Sequence, residues 1–80
     1  MNKTQSKITR SAISQIEEII SRIEEVRDQL QEAYDGKSEN WQQSEKGEQL
    51  SNRIDQLACA IDSLIAANEE IDSAREGLED

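Results

Sequence analysis

Apolar residues step along the C-terminal half of this chain in threes and fours. Leu50, Leu57, Leu64, Ile71 and Leu78 recur every seven residues, and Ile54, Ile61, Asn68 and Arg75 form a second such series beside them. Ile at one core position and Leu at the other is a coiled-coil pattern. The N-terminal half carries a matching stripe of Thr9, Ala12, Ile16, Ile19, Ile23, Val26, Leu30 and Ala33. Its alternating steps predict a long amphipathic helix. Ile13, Ile20, Arg27 and Tyr34 sit one residue beyond one of its series and widen the stripe. Five Ile fall between positions 13 and 23 and lower the intrinsic helix propensity slightly, but the period overrides them. Glu18 before Arg22 is a favourable pair one turn apart.

One stretch breaks the pattern. Asp35-Gly36 followed by Lys37, Ser38, Glu39 and Asn40 reads as a turn, with Gly36 as a left-handed helix cap. Ser44 is the best N-cap for the second helix, with Glu45 and Glu48 near its positive end and Gly47 weakening the first turn. The expected chain is a single domain, 1–80, with a frayed start, helix 5–34, turn 35–43 and helix 44–76. The helices would be about 45 and 50 Å long. A connection this short reverses the chain, so the fold class is all-α: an antiparallel two-helix coiled-coil hairpin. If the reversal centres near residue 40, Leu30 faces Leu50, Val26 faces Ile54, Ile23 faces Leu57, Ile19 faces Ile61 and Ile16 faces Leu64. Ala12 then meets Asn68 and Thr9 meets Ile71, a less apolar end that should open more easily. Lys3, Lys7 and Arg10 would lie there beside Glu69, Glu70, Asp72, Glu76, Glu79 and Asp80.

The stripes hold more apolar surface than one seam can cover. Burying an Ile is worth about 1.5–3 kcal/mol, a large share of the stability of so small a domain. Ile13, Ile20, Ala58, Ala60, Ile65 and Ala67 flank the seam and are the expected self-association residues. A homodimer forming a four-helix bundle is the simplest arrangement. A partner's helix on the same face is the alternative. Asn68 on the seam either fixes register and oligomer state or sits at a loosened end and does little. Arg75 is expected to be solvated.

Composition narrows the chemistry. The chain has 18 acidic and 9 basic residues, a net charge of −9, no His, no Pro, no Phe and single Cys, Trp and Tyr residues. Without His, Ser–His, Cys–His and His-containing zinc sites are excluded, as is the Glu-x-x-His pattern of two-metal bundles. Asp35-Gly36 lacks EF-hand ligand spacing, and no Gly-rich phosphate loop is present. Glu17-Glu18, Glu24-Glu25 and Glu69-Glu70 read as solvated faces. No enzyme activity, cofactor or metal is expected. Cys59 lies between Ala58 and Ala60 and reads as a packing or surface residue. The first 30 residues lack a signal-peptide core and no run reaches the roughly 20 apolar residues of a membrane span, so a cytoplasmic location is the expectation.

The turn, from Tyr34 to Glu48, resembles that of short acidic helical-hairpin proteins encoded by phages and other bacterial mobile elements. Asp35, Glu39, Trp41, Gln42, Ser44, Glu45 and Gly47 match its form, while Ser38 stands where such turns often carry Pro. The resemblance implies an origin in a phage or mobile element rather than a mechanism. Tyr34 and Trp41 either cap the Leu30–Leu50 layer or, with Glu39 and Glu45, offer a partner contact. The functional expectation is a non-enzymatic acidic interaction module that binds a host or viral protein. The alternative is a DNA mimic that inhibits a nucleic-acid-binding defence enzyme. Direct nucleic-acid binding through the three basic residues of the start is the weakest option against so acidic a chain.

Overall fold

Both stepped patterns fold as helices. The computed structural model describes residues 3–78: α1 spans Lys3–Asp35, α2 Glu39–Gln42 and α3 Glu45–Leu78. Met1, Asn2, Glu79 and Asp80 lie outside the described residues, and with them two of the acids expected opposite the basic start. α1 packs along α3 in an antiparallel hairpin. The molecule is a rod of 59 × 15 × 12 Å with a radius of gyration of 18.0 Å. A globular chain of this length would have a radius of gyration near 12 Å, so little of this chain lies far from solvent.

The two helices are supported differently. α3 begins with Glu45 and Glu48 and carries Arg75 in its last turn, the arrangement that complements a helix dipole. α1 has no acid in its first turn and no base in its last. Its N-terminal charges are Lys3 and Lys7, which oppose its own dipole. α1 therefore depends on packing against α3, and antiparallel packing sets its basic start beside the negative end of that helix. The Glu18–Arg22 pair forms as expected, at 3.7 Å and exposed.

The reversal is built differently from the sequence expectation. Gly36 does not adopt a left-handed conformation; no residue among those described has positive φ. The Gly36 amide donates to the Glu32 carbonyl and the Lys37 amide to the Tyr34 carbonyl, each at 3.1 Å, so α1 simply tightens as it ends. Ser38 then turns extended and its Oγ accepts from the Trp41 amide at 3.3 Å, capping the short α2. Gln42 reaches back, and its Nε2 donates to the Tyr34 carbonyl at 2.8 Å. That bond gives the Tyr34 carbonyl, which already accepts from the Lys37 amide, a second donor and ties α2 to the end of α1. Spreading the reversal over an intermediate helical turn removes any need for a strained residue. Ser44 caps α3 as expected, its Oγ accepting from the Gly47 amide at 3.3 Å.

Gly47 has a role that propensity alone hides. It is buried, and a Cβ built on it would lie 2.3 Å from the carbonyl oxygens of both Trp41 and Gln42. Backbone meets backbone there, so no side chain can move aside.

The seam itself shows which of the apolar series face inward. On α3 both predicted series do: Ile54, Ile61 and Asn68 are buried and Leu50, Leu57, Leu64 and Ile71 half-buried. On α1 the buried residues are Ser6 and Ile20, with Thr9, Ile13, Ile16, Ile23, Arg27, Leu30 and Tyr34 half-buried. Ile19 and Val26 stay 45% and 48% exposed. Ile19 and Val26 therefore lie toward the edge of the seam rather than at its centre, where the sequence expectation placed them. α1 is rolled about its axis so that the Ile13, Ile20, Arg27 and Tyr34 series turns inward and Ile19, Val26 and Ala33 turn outward, while Ala12 stays half-buried. Asn68 fixes the level: its Nδ2 approaches the Ile13 carbonyl at 3.5 Å. Stepping seven residues in opposite directions from that pair sets Ile20 level with Ile61, Arg27 with Ile54 and Tyr34 with Gly47. By this count the level of buried Ile20 and Ile61 falls at mid-rod. Arg27 tolerates its place because its stem lies on the seam while its head bonds the Asp28 carboxylate at 2.9 Å.

Arg75 also departs from expectation. Its side chain is only 15% exposed, and Nε donates to Asp72 at 2.9 Å. With buried Ser6 on α1, it closes the end of the rod away from the turn.

Substituting Gly47 by Ala should lower stability by about 1–3 kcal/mol through overpacking. The same change at Gly77, where a Cβ meets nothing within 4 Å, should be neutral or slightly stabilising. Thermal unfolding followed by circular dichroism distinguishes the two; equal effects would show that the close approach at Gly47 is not maintained.

Candidate interaction surfaces

A two-helix rod has two long edges where its helices diverge. Ile13, Glu17 and Ile20 from α1 and Ile65, Asn68, Glu69 and Asp72 from α3 line one groove of about 390 Å³. This establishes which flank of each helix belongs to that edge. On α1 it is the flank carrying Lys3, Arg10, Glu17 and Glu24. On α3 it is the flank carrying Glu48, Asp55, Asp62, Glu69 and Glu76, one acid every seven residues, all exposed. A seven-residue step is about 10 Å along a helix, so the edge presents a line of carboxylates running the length of α3.

The opposite edge follows by elimination around each helix. On α1 it holds Ala12, Ile19, Val26 and Ala33, flanked outward by Ile8, Gln15, Arg22 and Gln29. On α3 it holds Lys46, Arg53, Ala60, Ala67 and Ala74, all exposed, flanked by Gln49, Gln56, Ser63, Glu70 and Gly77. Ile8, Ile19 and Val26 are among the exposed large apolar side chains there. The charges on this edge are mixed, Arg22, Lys46, Arg53 and Glu70, whereas the other edge carries the unbroken run of acids on α3.

The six residues expected to drive self-association do not share one edge. Ile20 is buried in the hairpin's own seam, and Ile13 and Ala58 are half-buried on its acidic side. Ile65, 38% exposed, belongs to the acidic groove. Ala60 and Ala67 lie on the opposite edge. Ile19 and Val26, assigned from sequence to the seam, join them. The choice between two adjacent seven-residue series cannot be made from α1 alone, since both are apolar. The heptad run of acids on α3 was legible and missed: it marks the flank that faces solvent or a basic partner.

Asn68 is the chemically distinctive residue. It is 8% exposed, and among the described residues its Oδ1 is buried without a hydrogen-bond donor. Its one bond, to the Ile13 carbonyl, is at the long limit of hydrogen-bond geometry. A buried acceptor left unpaired typically costs about 1–3 kcal/mol. Asn68 thus weakens the seam at its own level, whatever it contributes to register.

At the turn, Tyr34 and Trp41 are half-buried, and Lys37 Nζ lies 5.2 Å from the centre of the Trp41 ring, within cation–π reach. Glu39 and Glu45 open α2 and α3 and are exposed. Cys59 is a free, exposed thiol. Among the described residues, no group of three or more His, Cys, Asp or Glu could hold a metal ion, and no helix is long and apolar enough to cross a membrane. Comparison with models of protein families, with curated proteins and with solved structures finds no match for this chain.

Replacing Asn68 by Leu should raise stability by about 1–3 kcal/mol, since it removes the unpaired acceptor and extends the Leu–Ile seam by one level. Urea unfolding at matched protein concentration measures it. A destabilised variant would mean that Asn68 is satisfied in solution.

Proposed function

We propose that this protein is a non-enzymatic interaction module whose two edges do different work. The Ala-lined edge joins two hairpins into a four-helix bundle. The acidic edge, left facing outward by that assembly, binds a basic surface on a host or viral protein. The observation that carries this reading is the segregation itself: Ile19 and Val26 exposed on one side, the acids of α3 on the other.

Area supports the first half. The chain exposes 6036 Å² at a mass of 9.1 kDa. A compact monomer of that mass would expose about 4,900 Å². The excess of about 1,100 Å² exceeds the roughly 800 Å² per partner of a standard interface. Ala at seven-residue spacing lets helices approach closely, and the larger Ile19 and Val26 of one hairpin can sit over the Ala60 and Ala67 row of the other. Pairing through the acidic edge would instead set like charges together.

Charge spacing bears on the DNA-mimic alternative. A duplex carries one charge per about 1.7 Å of axis, against one carboxylate per about 10 Å along the α3 edge. Glu17 and Glu24 thicken that line only near its middle. The edge suits separated cationic side chains better than a protein groove shaped to a duplex.

Sedimentation equilibrium should give a particle of twice the 9.1 kDa chain mass, with a melting temperature that rises with protein concentration. Ile19→Glu and Val26→Glu should each shift the equilibrium to monomer, whereas Ile65→Glu, on the acidic edge, should not. A well-folded wild-type monomer at all concentrations would contradict the assembly.

A further inference from the structure

The groove beside Asn68 combines features found nowhere else among the described residues of the rod. Its floor is apolar, from Ile13, Ile20 and Ile65, and its rim is acidic, from Glu17, Glu69 and Asp72. Glu17 and Glu69 make no ion pair among the described residues, while Asp72 shares its carboxylate with Arg75. Asn68 lines the same groove, over nine-tenths buried, with an acceptor that nothing among the described residues satisfies. An apolar floor, unneutralised carboxylates and a spare amide oxygen are together complementary to one kind of side chain. It must bring a long aliphatic stem, a positive charge and more than one N–H donor, which describes arginine better than lysine.

We propose that this groove seats an arginine presented by a basic amphipathic helix of a partner protein. The guanidinium pairs with Glu69 and Glu17 across the mouth, and its stem lies on Ile13 and Ile65. The Asn68 side chain gives up its long bond to the Ile13 carbonyl and turns Oδ1 toward the guanidinium N–H. The hydrogen-bonding defect that weakens the free hairpin thereby becomes a recognition element. The regular acids beyond it on α3 meet further basic residues of the same helix at seven-residue spacing. This site rests on the interaction-module reading and names the partner chemistry for its acidic edge.

The test uses full-length protein and a synthetic helical peptide of about five turns, with Leu on one face and Arg at seven-residue spacing on its border. Binding is read by fluorescence anisotropy across a salt series. The wild type should bind, more weakly as salt rises, and more weakly still when the arginines are replaced by neutral, isosteric citrulline. Asn68→Leu should fold at least as stably yet bind about tenfold more weakly, having lost a charge-assisted bond. Glu69→Gln should weaken binding several-fold, and Glu70→Gln, on the opposite edge, by less than about twofold. Unchanged binding by Asn68→Leu, equal effects of the two Glu changes, or no binding by the wild type would each overturn the site. Sedimentation of the same samples separates the readings: a dimer that ignores the peptide sinks this site alone, and a monomer that binds it sinks only the assembly.

Discussion

Two helices packed side by side bury one narrow seam, and this chain carries apolar series broader than a seam. That mismatch governs the rest of the structure. On α1, three neighbouring series, those of Ile13, Ile16 and Ile19, compete to face α3, and only two can. The hairpin resolves the competition by rolling α1 so that Ile20 is buried with Ile54 and Ile61 while Ile19 and Val26 stay exposed. What remains outside, Ile19 and Val26, is surface that a solitary rod would leave in water. The proposed self-association rests on this exposed apolar surface and on no particular ligand.

The hydrophobic pattern and the charge pattern are in phase. Acids recur every seven residues on α3 along the flank that ends at Glu76, and Ala recurs every seven from Ala60 along the flank that ends at Ala74. One period therefore serves the seam, the oligomer face and the solvent face together. The turn keeps the phase by joining the helices rigidly: Ser38 caps α2, Gln42 closes the end of α1, and Gly47 lets α3 start against the carbonyls of Trp41 and Gln42. A longer or looser connection would let the helices slide and would scramble the edges.

Much of this was legible in the residues. The two-helix architecture, the α3 seam and the Ser44 cap follow from spacing and from one Asp-Gly break. The α1 seam was not, because Ile19 and Ile20 are equally apolar and only packing against α3 chooses between them. Gly36 was misread as a left-handed cap because a tight reversal was assumed where the chain inserts a short helix. Arg75 looked solvated because its charge hides the reach of its aliphatic stem, and buried Ser6 gives no signal in hydropathy. The candidate surfaces depended on that roll. With α1 turned the other way, Ile13 and Ile20 would face outward beside Glu17, and apolar and acidic surface would be mixed on one edge.

The roll of α1 is accordingly the claim to test most directly. Nuclear Overhauser spectroscopy on protein labelled at the isoleucine methyl groups reads it residue by residue. The structure requires a strong Ile20–Ile61 cross-peak within one chain and none between Ile19 and Ile61. In an isotope-filtered mixture of labelled and unlabelled protein, Ile19 should contact the second copy. A strong intrachain Ile19–Ile61 cross-peak, with Ile20 in contact only with solvent or a neighbour, would contradict the account.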